Sequence, residues 1–198
     1  MHFSYSGLVS EGGYLLGMAP VRTYIASRQL EEQIVLKTTE VSSQHYRDAM
    51  ARFAGAVHIV TTDGAAGRRG VTAIAACSVS DDPPTVLVCL NRQNPSNDLF
   101  VKNGVFALNT LSSRHEELSK AFAGLTKHSY EERFGLAEWE TIVTGAPILP
   151  GALAVFDCKI VKTVELGTHR VYFGHVTGLR IGENLQPLLY HERGYRVL

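Results

Sequence analysis

The stretch GRRGVTAIAACSVSDDPP (residues 67–84) decides how this chain is read. It joins a glycine-flanked basic turn, a small-residue strand and a hydroxyl-rich loop closed by two prolines. Ala73, Ala75 and Ala76 leave the backbone uncovered, so a flat ligand can lie against it. Thr72, Ser78 and Ser80 offer hydroxyls, local amides offer donors, and Arg68 and Arg69 add positive charge. Together these describe a site for a phosphate-bearing aromatic cofactor. A small-residue strand packed under a neighbouring element, followed by an Asp-Pro turn, has the same composition. The rest of the chain has to separate the two.

Working outward, residues 42–53 (SSQHYRDAMARF) have helical character. Ser42 or Ser43 can cap them, and Tyr46, Ala49, Met50 and Phe53 fall at three- and four-residue spacings on one face. Residues 56–62 predict a buried strand, and Asp63-Gly64 a turn. Strands follow at 70–79, 85–91 and 106–111, with a short helix over 94–101 that has Pro95 in its first turn. Residues 112–123 predict a helix: Ser113 with Glu116 reads as a capping box, and Leu118, Ala121 and Phe122 as its apolar stripe. A weaker helical segment covers 131–139, and strands are expected at 152–165, 170–182 and 188–190. Many strands, few helices and little βαβ alternation predict a mainly β, mainly antiparallel barrel with helical decoration. The apolar run LAVFDCKIVKT (153–163) suits a strand covered by the barrel interior on one face and by a helix or another subunit on the other.

The chain has 198 residues, 45% hydrophobic and 19% charged, a globular balance. It divides into an extension over 1–40, within which 28–35 could form a short helix, and a domain over 41–198. A formal net charge of +0 argues against nucleic acid or an anionic membrane surface as partner. No apolar run reaches the ~20 residues of a membrane span, and no secretory leader is expected, since Glu11 interrupts the first apolar stretch. Cys77, Cys89 and Cys158 are far apart and form no CxxC pair, which suits a reducing, cytoplasmic setting.

Ser78 and Ser80 would share one face of an extended segment. Asn91, Ser96 and Asn97 form a second polar cluster around the Asn-Pro turn, where a helix start could aim donors at an anion; Ser96 could also serve as a cap. Gly167-Thr168-His169, between two strands, places an imidazole at a sheet rim, although a solvated loop histidine fits as well. His58 reads as a core residue, His115 and His128 as surface positions, and His175 as lining a sheet face. No histidine pair has metal-ligand spacing with a carboxylate, so no metal is expected. GxSxG, GxGxxG and Walker signatures are absent.

Several ordered blocks resemble one family. YRDAMARFAGAVHIVTT, GRRGVTAIAACSVSDDPPTVLVCLN, the NPS turn, FALNTLSSRHEELSKAFAG, EERF, GTHRVYFGHV and PLLYHERGY together are similar to the short-chain flavin reductases, over about residues 44–198. The resemblance implies an FMN-binding split β-barrel, a homodimer holding FMN or FAD, and NADH or NADPH as electron donor. It implies flavin phosphate and ribityl contacts at Thr72, Ala73, Ser78 and Ser80, with Asn91, Ser96 and Asn97 nearby, and the ring near Val71, Ala76 and Cys77. His169 matches the histidine that seats the nicotinamide, and Arg193 and Tyr195 lie where relatives close over the cofactor. Within the family the chain looks most like the cob(II)yrinate a,c-diamide reductases, whose acceptor is a corrin. Next stand the pyrimidine-utilisation flavin reductases and the reductase components that hand free flavin to a partner monooxygenase, such as 4-hydroxyphenylacetate 3-monooxygenase. A flavin-binding barrel without a donor site is the non-enzymatic alternative.

Overall fold

The computed structural model describes residues 41–198; the helix expected over 28–35 lies outside them. The elements run α1 (Ser43–Met50), β1 (Gly55–Ala56), β2 (His58–Thr62), β3 (Arg69–Ala73), β4 (Ala76–Asp81), β5 (Pro84–Asn91) and α2 (Asp98–Asn103). They continue with β6 (Val105–Thr110), α3 (Glu116–Phe122), α4 (Tyr130–Phe134), β7 (Ala154–Leu166), β8 (His169–Ile181), β9 (Leu188–His191) and β10 (Gly194–Val197).

Seven strands form one sheet in the order β3-β2-β6-β7-β8-β5-β4, every adjacent pair antiparallel. The strand expected over 70–79 is in fact two. It breaks at Ile74 and Ala75, and those two residues join β3 to β4, the opposite edges of the sheet. Edges six places apart can be linked so briefly only if the sheet curls round to bring them together, which closes the barrel. The fold is the mainly β, antiparallel barrel that the strand pattern predicts, and the split barrel that the family resemblance implies. β1, β9 and β10 form a second, three-stranded sheet; β10 was not anticipated from the sequence.

Buried residues form two clusters, with β2 and β6 between them. Val60, Phe106 and Leu108 join Val88, Leu90, Phe100 and Tyr172 on one side. Val57, Ile59 and Ala107 join Leu111, Phe122, Ile148 and Leu188 on the other. Strands covered on both faces carry apolar residues without alternation, and every residue of β2 is buried. His58 is a core residue, as expected, sharing a 3.1 Å hydrogen bond with Thr110 Oγ1. Burial lowers its pKa to about 4.

Two local expectations need correction. The start of the helix after β6 is capped by Ser112 with His115, not by Ser113 with Glu116: His115 Nδ1 accepts from the Ser112 amide at 3.2 Å. His115 is therefore half-buried rather than a surface residue. The helix expected over 131–139 is the shorter α4, capped by Ser129 and Glu132. Helix α1 starts at its Ser42 cap, yet Tyr46, Met50 and Phe53 are exposed. On β7 burial stops at Cys158, and most of the remaining strand is exposed.

Candidate functional site

Gly70 sets up one wall of a cleft. A Cβ there would sit 2.3 Å from Phe122 Cε1, so glycine lets β3 lie directly on the Phe122–Phe134–Trp139 cluster. The cleft has a volume of about 390 Å³, within the usual range for small-molecule sites of roughly 300–1,000 Å³. Its floor is Val71, Thr72, Ala73, Ile74 and Ala75, and its far wall is the end of β5 with Cys89, Leu90 and Asn91. Asn94, Asn97, His169, Ala123, Gly124, Tyr130 and Arg133 complete its lining. The alanines expose backbone over which a flat ring can lie.

The polar end is organised by Arg69, which is 3% exposed. Its Nε donates to Asn97 Oδ1 at 3.1 Å, and its Cζ lies 4.0 Å from the centre of the Tyr130 ring. Its Nη1 is buried with no hydrogen-bond partner. Burial pulls its pKa down, though a guanidinium stays charged. Asn97 is fixed in turn, donating through Nδ2 to Asn91 O at 2.8 Å, while Tyr172 donates its hydroxyl to Asn97 O at 3.1 Å. Arg133 Nε donates to His128 O at 3.2 Å, and its Cζ is 4.9 Å from the same Tyr130 ring. The Asn94 amide donates to the Tyr130 hydroxyl at 3.3 Å. That bond and then the Arg69 charge hold the phenol below its ordinary pKa.

His169 opens β8 beside the Gly167-Thr168 turn, opposite Asn91 in the ladder. It is exposed, and its Nδ1 shares a 2.9 Å hydrogen bond with Thr168 Oγ1. That leaves Nε2 free to meet a ligand at the rim. A second, apolar cavity of about 240 Å³ adjoins the cleft across Thr72, Ala73 and Ile74. Tyr190 and Tyr195 line it edge to face, with centroids 5.4 Å apart, and the Tyr195 hydroxyl meets Ser119 Oγ at 2.9 Å.

The structure thus gathers at one cleft six of the residues to which the resemblance gives a cofactor or donor role, Val71, Thr72, Ala73, Asn91, Asn97 and His169, together with Arg69 and Ala75. Tyr195 lines the adjoining cavity. Ala76, Cys77, Ser78 and Ser80 lie along edge strand β4 and line neither. A bulge between Ser78 and Ser80 sets two β4 residues against one of β5, so the same-face alternation does not hold, and Ser80 Oγ donates to Asp82 O at 3.0 Å. Thr72 Oγ1 donates to Ser119 O at 2.7 Å. Ser96 is half-buried, its amide donating to Asn94 Oδ1 at 3.1 Å. Arg193 pairs with Asp48 of α1 and lines neither cavity. Asn94, Tyr130 and Arg133 escaped sequence reasoning, and Arg69 was read only as nearby charge. The EERF block was the one available signal, but nothing local ties residue 133 to residue 69.

The residues that match a family description, 50–198, match that of the flavin reductase like domain. An FMN reductase (NADH) RutF of Ancylobacter novellus is 52% identical over 162 residues, covering 82% of this chain and 88% of the relative. A crystal structure described as a flavin reductase from Haemophilus somnus is 42% identical, with a TM-score of 0.76 over 80% of this chain and 100% of the other. BorF, the flavin reductase component of a bacterial two-component tryptophan halogenase, is 27% identical, with a TM-score of 0.72 over 79% of this chain and 98% of its own. The chain belongs to the flavin reductase family.

Proposed function

We propose that this protein is an NADH-dependent flavin reductase that supplies reduced flavin to a partner oxygenase, acting as a homodimer in the cytoplasm. The observation that carries this is the pairing of an alanine-floored cleft with an unsatisfied buried guanidinium and a rim histidine. A flat ring with a phosphate tail fits that arrangement. The FMN reductase (NADH) relative and the halogenase reductase component support flavin supply over the corrin reduction expected from the sequence.

Flavin, when bound, supplies the hydride acceptor and can release its electrons singly or in pairs. The chain's own residues bind and orient. Backbone along Val71, Ala73 and Ala75 receives the ring, and Asn91 and Asn97 hold polar atoms next to it. Residues 76–80 and Ser96 serve the part of the cofactor that reaches past the rim, while Arg193 and Tyr195 close the far end. His169 offers Nε2 to the donor's carboxamide and positions the nicotinamide without being an obligatory acid. Tyr46 on α1, Phe53 just after it, Val79 on β4 and Val164 on β7 are exposed apolar side chains that a second copy would cover.

Purified protein should bind FMN or FAD and bleach it with NADH under argon; a protein inert to both flavins would overturn the proposal. Replacing His169 by Ala should raise the KM for NADH about tenfold, the scale of one or two lost polar contacts. FMN affinity should stay nearly constant. Lost FMN binding with normal donor kinetics would remove His169 from its role.

A further inference from the structure

Gly167 and Thr168 make the two-residue turn from β7 into His169 at the start of β8, and four charged side chains gather at that turn. Glu165 and Arg170 face each other across the hairpin, next to the Leu166–His169 pair that closes it. Arg170 Nε donates to Glu165 Oε1 at 3.0 Å, and its Nη1 donates to Asp98 Oδ1 of α2 at 2.7 Å. The second oxygen of Glu165, Oε2, pairs with Arg92 Nη2 at 3.1 Å. Arg92 then holds the turn itself: its Nη1 donates to Gly167 O at 3.3 Å and its amide to Thr168 O at 3.0 Å. Charges of alternating sign thus run from α2 through Asp98, Arg170, Glu165 and Arg92 to the backbone just before His169. Among the described residues Glu165 is the one carboxylate paired with two arginines. The bonds from Arg170 and then the Arg92 charge hold its carboxyl below the ordinary pKa.

We propose that Glu165, joined to Arg92 and Arg170, is a positioning residue for the nicotinamide donor: it fixes the Gly167-Thr168 turn and, through it, the imidazole of His169. None of the four charged residues lines the cleft, so they act through the backbone and not on the ligand. The His169 ring is exposed and shares its hydrogen bond with Thr168 of the same turn, so the ring goes where the turn goes. Exposed ion pairs add little to global stability. Their worth here is local, since they oppose the opening of one hairpin end, and productive orientation is sensitive to shifts of about an ångström. The inference rests on the donor role proposed for His169.

The test is steady-state kinetics of the full chain with NADH and FMN, beside FMN binding read by flavin fluorescence. Glu165→Gln, close in size but uncharged, should raise the KM for NADH about threefold, the scale of an exposed ion pair. Its kcat and FMN affinity should stay unchanged. In a His169→Ala background the same substitution should raise KM no further, because the group it positions is gone. Asp98→Asn breaks the network at its α2 end and should give the same pattern, which decides the matter should Glu165→Gln fail to fold. An unchanged KM in both folded variants would overturn the positioning role. So would a rise that persists without His169, since Glu165 would then be a general structural residue. A fall in KM would also overturn it, because the carboxylate would then merely repel the anionic donor. If His169→Ala itself leaves KM unaltered, or the protein reduces neither flavin, the donor reading falls and the positioning role with it. A raised KM in His169→Ala beside a silent Glu165→Gln removes the positioning role alone.

Discussion

Asp157 and Arg69 are both withdrawn from solvent, yet their surroundings treat them in opposite ways. Asp157, on β7, accepts from the backbone amides of Val143 and Thr144 at 2.7 and 2.9 Å and from the Thr144 hydroxyl. It pins the loop before β7 to the barrel wall. Arg69, on β3, makes one hydrogen bond and leaves a buried N–H open. A charge the fold uses for itself is bonded on every side, because an unmet polar group in a low-dielectric interior is costly. A charge left incomplete beside a cleft is set for something that arrives from outside.

The largest effect should come from Asp157→Ala. It leaves two partly buried amides and the Thr144 hydroxyl without their acceptor and frees the loop, so urea unfolding should show a loss of roughly 3–4 kcal/mol. Next is His58, an intermediate case with one neutral partner, Thr110. Its folded pKa of about 4 lies below the ordinary 6.5, so the unfolded chain takes up a proton first as pH falls. The stability His58 contributes is therefore intact above pH ~6.5 and is lost between there and ~4, up to about 3 kcal/mol. Unfolding midpoints measured across that window should fall, and His58→Gln should flatten the slope. The smallest change should be the stability of Arg69→Met, within about 1 kcal/mol of wild type, since a lost bond is offset by removal of an unpaired buried charge. If Arg69→Met cost as much as Asp157→Ala in the same urea series, Arg69 would be a structural residue and the contrast would break.

Much of the barrel was legible because it rests on local rules. Continuous apolar runs marked β2 and β5, the Ser42 cap marked α1, and Gly167 marked the turn that carries His169. The errors fall where two local solutions are equally good. Ser112 and Ser113 can each cap a helix, and only the half-buried position of His115 selects the first. The β4 bulge is likewise invisible in a Ser-x-Ser pattern, since it depends on what lies opposite in β5.

By itself the sequence determined most of the strands, the small-residue floor and the family blocks, because side-chain alternation and backbone exposure act within a few residues. Only the tertiary structure decided that the strand over 70–79 breaks at Ile74 and Ala75 and that Arg69 meets Tyr130 and Arg133 across some sixty residues of chain. Barrel closure brought those groups together, and closure depends on how seven strands twist and pair, which no short window of residues encodes.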